Sequence, residues 1–378
     1  MTMAVYGKVK RARNTRPVAL LGIGTAAANR VLQSTAARLT EPLCCDTEQQ
    51  RQFLQRIFTG SGIHTRSSVL LAEDDPEFSH VQAFYRPRAG PNDFGPTTSQ
   101  RMALYAQHAP PLVLTAARRA LDASEVVPRA ITHLIPVTCT GFFAPGLDSF
   151  LIDQMQLRPD IGRMQLGFMG CHGAFNALSM ARQITLADPS ARVLVCCVEL
   201  CTLHLAYGFD PQKVVANALF ADGAAAAVIG TPAGDTAPLL LQDASSLLVP
   251  NSLDAMTWRI GDHGFAMTLS PRIPDLVRQH VPGWVEAFLE RNQLSVSDIA
   301  HYAIHPGGPK VLTACADALG LSHDLLVHSR QVLHDYGNMS SATILFVIES
   351  LLATGVSGPT LALGFGPGLM AEGLLLGE

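Results

Sequence analysis

The residues best suited to chemistry begin with Cys171, set in Gly167-Phe168-Met169-Gly170-Cys171-His172-Gly173-Ala174-Phe175-Asn176-Ala177-Leu178, a cysteine between glycines at the entry to an apolar helix. Glycines allow a tight, open turn, and a helix N-terminus offers free N–H groups and partial positive charge that favour a thiolate. A small buried cysteine at a strand-to-helix turn has the same local pattern, so the nucleophile reading depends on partners elsewhere. His172 is adjacent, but successive residues on a starting helix point in different directions, which makes it a poor base for Cys171.

His305 is a better partner. It ends the apolar run Ala300 to Ile304 and precedes Pro306-Gly307-Gly308-Pro309, a turn that presents a ring beyond a sheet edge or simply satisfies it with backbone groups. Asn338 lies in Tyr336-Gly337-Asn338-Met339-Ser340-Ser341-Ala342, before a helical run, where an N-cap role competes with a catalytic one. A fourth segment, Gly364-Phe365-Gly366-Pro367-Gly368-Leu369, is glycine-dense directly after a strand and suggests backbone packed close to a site or ligand.

The elements that must position these residues read as α/β. Val18 to Ile23, His133 to Thr138, Arg192 to Cys197, Ala224 to Ile229, Ala300 to Ile304 and Thr360 to Gly364 form short apolar runs of buried-strand type. Helix-length stretches lie between them, at Pro110 to Ala123, Asn176 to Leu186, Pro274 to Arg291 and Ser341 to Thr354. A Gly/Pro/Asp/Thr cluster at Thr231 to Pro238 marks an uneven seam, and Ala72 to Pro96, rich in Pro, Asp and Gly, reads as a surface excursion.

With 378 residues and 48% hydrophobic content the chain can bury a large core. Charged residues make up 15%, the net charge is -4, and no Lys/Arg stripe recurs, so a nucleic-acid partner lacks electrostatic support. The eight cysteines and thirteen histidines show no zinc or disulfide spacing, which fits reduced thiols in a cytosolic enzyme without a metal. Lys8, Lys10, Arg11, Arg13 and Arg16 before an apolar stretch imitate a targeting signal, but Gly22 and Gly24 interrupt that stretch. It is also too short to span a bilayer, and it reads equally well as a first strand.

Taken together, Gly-Cys-His-Gly-Ala-Phe-Asn-Ala-Leu around Cys171, His-Pro-Gly-Gly-Pro at 305–309, Gly-Asn-Met-Ser-Ser-Ala at 337–342 and Gly-Phe-Gly-Pro-Gly-Leu at 364–369 resemble the motif set of type III polyketide synthases, in family order. Ala218-Leu219-Phe220-Ala221-Asp222-Gly223-Ala224 and Thr140-Gly141 add to the likeness. The resemblance implies a thiolase-like fold: two related α/β halves, 1–235 and 236–378, forming a layered αβαβα core, with the cysteine on the first half and His and Asn on the second. It implies a homodimer, although Ala144 stands where plant enzymes use a methionine that reaches into the partner subunit.

The chemistry implied is acyl loading on Cys171 from a coenzyme A thioester, followed by decarboxylative condensation with malonyl-CoA and ring closure. Coenzyme A thioesters are then substrates, and no cofactor is expected. His305 would lower the cysteine pKa by ion pairing, and His305 with Asn338 would form an oxyanion hole worth about 3 to 4 kcal/mol per donor. The same resemblance assigns Phe220 to the neck of the cavity and Met267 to the second gate position, where plant enzymes carry phenylalanine; Phe265 does not inherit that role. Cys139, Cys201 and His204 stand in place of threonines and Trp258 in place of glycine, with Ser340 and Pro367 completing the pocket. Arg56 and Lys310 match positions at the coenzyme A tunnel mouth. The remodelled pocket suggests a linear aliphatic starter and an alkylpyrone- or resorcinol-like product.

Three other readings stand beside this one. An initiating ketoacyl-ACP synthase shares the fold and the Cys-His-Asn set. A catalytically dead homologue is opposed by the survival of all three residues. A dinucleotide-binding protein is suggested by Gly22-x-Gly24-x-x-Ala27 after a strand, with Glu41 nineteen residues on.

Overall fold

The computed structural model describes residues 17–71, 82–232, 239–355 and 357–377; the basic segment Lys8 to Arg16, most of the seam at 231–238 and the first part of the 72–96 excursion lie outside them. Among the described residues a ten-stranded mixed sheet forms the frame. From one edge its path runs His301–Ile304, Thr360–Gly366, Met370–Gly377, Leu240–Leu248, Ala19–Ala27, Asp222–Gly230, Arg192–Leu200, His133–Thr138 and Gly162–Arg163, and the tenth strand, Leu166–Gly167, pairs with His133–Thr138 off this path.

The path contains one pairing pattern twice. Ala19–Ala27 is antiparallel to Asp222–Gly230, which is antiparallel to Arg192–Leu200, which is parallel to His133–Thr138. Leu240–Leu248, Met370–Gly377, Thr360–Gly366 and His301–Ile304 repeat the antiparallel, antiparallel, parallel sequence. The two sets meet where Ala19 pairs with Leu240, a junction extended by Leu20 N–H donating to Leu239 O and Leu241 N–H to Val18 O.

Side-chain alternation then builds the layers. Val193, Val195 and Cys197 face a core shared with Ala303, Ala362 and Leu374 of the other strand set, and the helices Gly173–Ala187 and Thr343–Leu352 fill that space. On the opposite face, Leu194, Cys196 and Val198 pack on the helix Thr98–Ser124. Tyr302, Ile304, Leu361 and Leu363 meet the helices Ile273–Arg291 and Pro309–Leu319. The result is helix, sheet, helix, sheet, helix. Thr343–Leu352 is apolar nearly all round because it lies in the middle layer, where both faces are covered.

The first strand disposes of the dinucleotide reading. Gly22 and Gly24 lie inside the strand Ala19–Ala27 rather than in a phosphate loop after it. A Cβ on Gly24 would come within 2.4 Å of Ala120 N and 2.5 Å of Ala116 O, so these glycines exist to let the helix Thr98–Ser124 lie against the strand. Glu41 sits in the helix Gln33–Cys44, not at the end of a second strand. That long helix is fixed at its start by a Thr97/Gln100 capping box and presents small Ala109, Ala116, Ala117 and Ala120 to the sheet. Pro110 to Ala123 is therefore only part of a 27-residue helix. No helix among the described residues is long and apolar enough to cross a bilayer.

Candidate active site

Cys171 is held by the turn that opens the helix Gly173–Ala187, in the layer between the sheets. Gly170 has φ +86°, and a Cβ there would stand 2.1 Å from Pro367 Cδ, so only glycine fits this approach of the two segments. The Gly170 N–H donates to the Cys139 sulfur at 2.9 Å, which ties the nucleophile turn to the end of the strand His133–Thr138. His172 points elsewhere: its Nδ1 lies 2.8 Å from Asn176 Oδ1, one helical turn on. The glycine-dense segment 364–366 serves this packing too, since a Cβ on Gly366 would meet the His172 ring at 2.2 Å.

Asn338 reaches the same place from the other strand set. Its Oδ1 accepts from the Ser340 N–H at 2.9 Å and from Thr343 Oγ1 at 3.4 Å, much as a capping oxygen would. Those two donors fix the amide's orientation, and Nδ2 is left facing Cys171 Sγ at 4.0 Å. The cap-like bonds thus occupy one end of the amide and leave the other toward Cys171. Main-chain bonds from Ala221 N to Asn338 O (2.8 Å) and from Asn338 N to Leu219 O (2.9 Å) bind this residue to the neighbours of Phe220.

His305 ends the strand His301–Ile304, where its N–H donates to Leu363 O at 2.8 Å. The residue is 1% exposed, and neither ring nitrogen has a hydrogen-bond partner. A buried imidazole without a partner is costly unless a bound group completes it. Burial, reinforced by His172, pushes its pKa down to about 3, so the ring is neutral near pH 7.

Burial also pushes the Cys171 thiol up to about 11; Glu199 adds to the rise, while the Ser340 and Asn338 side chains oppose it. Desolvation thus dominates both shifts and opposes the charged form of each group taken singly.

A cavity of about 50 Å³ opens beside Cys171, and Cys139, Cys201, His204, Phe220, Met267, Trp258, Ser340 and Pro367, the eight pocket residues expected from the sequence, all line it. Much of its wall is the hairpin Met256–Gly261 and Gly264–Leu269, in which Trp258 pairs with Met267. Trp258 Nε1 donates to Cys139 O at 2.8 Å. His204 is clamped by Nε2 on Thr140 O at 2.7 Å and Nδ1 accepting from Phe265 N–H at 3.0 Å. Phe265 stacks on that imidazole with ring centroids 4.2 Å apart, and Trp258 meets both edge-on. The aromatic wall is therefore fastened by hydrogen bonds rather than free to swing.

Other cavity and neighbouring residues were not legible beforehand. Phe265, Met256, Asn217 and Lys213 line the cavity. Glu199 is fully buried beside it, accepting from Cys139 N–H (2.9 Å), Thr140 Oγ1 (2.8 Å) and Ser341 Oγ (2.5 Å), with burial raising its pKa to about 7. Its one signal was a carboxylate at the end of the apolar run Val193 to Leu200. Arg56 and Lys310 are exposed and do not line this cavity.

Comparison with known proteins agrees with this geometry. Residues 6–233 match the family model for the N-terminal domain of chalcone and stilbene synthases, and residues 240–378 the model for the C-terminal domain. The chain is 34% identical to the alpha-pyrone synthesis polyketide synthase-like Pks18 of Mycobacterium tuberculosis over 363 residues, covering 94% of this chain and 89% of that protein. It is 34% identical to the 1,3,6,8-tetrahydroxynaphthalene synthase of Streptomyces peucetius over 357 residues, covering 92% and 89%. Among solved structures, PKS-I of the brown alga Ectocarpus siliculosus superposes with a TM-score of 0.86 at 29% identity, covering 97% of this chain and 100% of the other. The matches lend no support to the carrier-protein synthase or dinucleotide-binding readings.

Proposed function

The chain belongs to the chalcone and stilbene synthase family and is a type III polyketide synthase of thiolase-like fold, a decarboxylative acyl-transferring enzyme, and from that premise we propose the roles of its residues and the class of its product. The observation that carries the reading is the Asn338 amide nitrogen 4.0 Å from Cys171 Sγ, and a buried His305 with both ring nitrogens unpartnered is consistent with it.

In this reading a neutral His305 nitrogen accepts the Cys171 proton as the thiol attacks the acyl-CoA carbonyl. The acyl group passes to sulfur and coenzyme A leaves as the thiol. Malonyl-CoA then loses CO2, and the resulting enolate oxygen is held by Asn338 Nδ2 and a His305 N–H. The enolate carbon attacks the acyl-cysteine carbonyl, and the sulfur is released. No metal or redox cofactor enters these steps. Phe220 and Met267 flank the passage and keep water from the enolate.

The starter is a linear aliphatic acyl group, extended two or three times and closed to an alkylpyrone- or resorcinol-like product. Two observations support this: Trp258, His204 and Phe265 occupy one wall of the cavity with bulky rings, and a relative at 34% identity carries an alpha-pyrone name. Incubation with malonyl-CoA and a panel of acyl-CoAs, followed by mass spectrometry of products and acyl-enzyme, tests it. Product from aromatic starters alone would sink the starter assignment, and product from Cys171→Ala would sink the covalent mechanism.

A further inference from the structure

Lys213 is the one Lys or Arg lining the cavity among the described residues, and no hydrogen bond or ion pair engages its ammonium group. It belongs to the helix Pro211–Leu219, whose cap is Asp210, the side chain of which accepts from the Gln212 and Lys213 N–H groups. Lys213, Ala216, Asn217 and Phe220 all line the cavity. Their spacing of three, four and seven residues makes them one helix face, so this face is one wall of the passage. Phe220 marks its inner end, beside Asn338. Seven residues at about 1.5 Å each place the Lys213 backbone roughly 10 Å further from the reaction centre.

We propose that Lys213 is a substrate-binding residue that pairs with a phosphate of the coenzyme A thioester. The inference rests on the reading under Proposed function. A thioester whose sulfur end meets Cys171 must carry its phosphates out at the far end of the pantetheine arm, along the passage that Phe220 and Lys213 share. A half-buried ammonium suits that anion, because no carboxylate among the described residues pairs with it.

The test compares Lys213→Ala and Lys213→Arg with the wild type, using malonyl-CoA and acyl-CoA beside the same acyl groups on pantetheine, which has no diphosphate. Lys213→Ala should raise KM for both coenzyme A thioesters about tenfold, the loss of one charge-assisted contact. Lys213→Arg should restore most of it, and raised salt should narrow the gap. KM for the pantetheine thioesters should be the same in all three proteins. An unchanged KM for the coenzyme A thioesters overturns the proposal. So does a rise confined to malonyl thioesters with either carrier, which would place the lysine on the malonyl carboxylate. Calorimetry with free coenzyme A separates the two levels of failure. Wild type that binds coenzyme A through Lys213 yet forms no product refutes the condensing-enzyme reading alone. Product formation with equally tight coenzyme A binding by Lys213→Ala refutes the Lys213 assignment alone.

Discussion

Asn338 Nδ2 stands 4.0 Å from Cys171 Sγ although 167 residues separate them in the chain, and the amide is held in that orientation by the Ser340 N–H on its oxygen. The donor is thus preorganised before substrate arrives, which is the condition for strong stabilisation of a developing oxyanion.

Removing it should spare the first chemical step. Asn338→Ala is expected to lower kcat for malonyl-CoA decarboxylation by about 10²- to 10³-fold, while intact-mass spectrometry still records acylation of Cys171. Loss of acylation to the same degree would assign Asn338 to loading instead.

Desolvation of the Cys171 thiol has a pH signature. With the Cys171 thiol at about 11, iodoacetamide alkylation of the free enzyme should keep rising with pH to that region instead of reaching a plateau near neutrality. A plateau below pH 8, read by peptide mapping, would show a stable thiolate.

His305 should also make the fold acid-sensitive. Its pKa is about 3 when folded and about 6.5 when unfolded, so between these values the unfolded chain binds the extra proton. Its contribution is fully present above the unfolded value and is lost as pH falls through 6.5 toward 3. His305→Gln should flatten the fall in urea midpoint across that window. Parallel curves for variant and wild type would contradict the buried neutral ring.

Trp258 controls room in the cavity. Trp258→Gly removes an indole from the wall and its bond to Cys139 O, and should admit bulkier starters, read as new product masses from aromatic acyl-CoAs. An unchanged product spectrum would move the constraint to His204 and Phe265.

Gly24 tests the packing of the outer layer. Gly24→Val forces side-chain atoms into the backbone of the helix Thr98–Ser124 and should cost about 1 to 3 kcal/mol or more, measured as a lower denaturation midpoint. A neutral effect would mean that the helix can move away from the strand.

The sequence by itself determined the fold class and the family. Short apolar runs separated by helix-length stretches impose α/β layering, and Cys171, His305 and Asn338 each stand in a local pattern that can be read without coordinates. Strand alternation then sends Val193, Val195 and Cys197 to one face and Leu194, Cys196 and Val198 to the other. What the tertiary structure decided were matters between segments distant in sequence. The glycines of the first strand were a phosphate-loop candidate until the helix Thr98–Ser124 was seen lying on them. The strand Met370–Gly377 and the hairpin bearing Trp258 and Met267 emerged as sheet elements only through their pairing. Lys213 acquired meaning from the helix face it shares with Phe220, and Glu199 from the donors gathered round it. The upward shift of Cys171 and the downward shift of His305 follow the same rule, because desolvation depends on everything packed around a group, and no local run of residues encodes it.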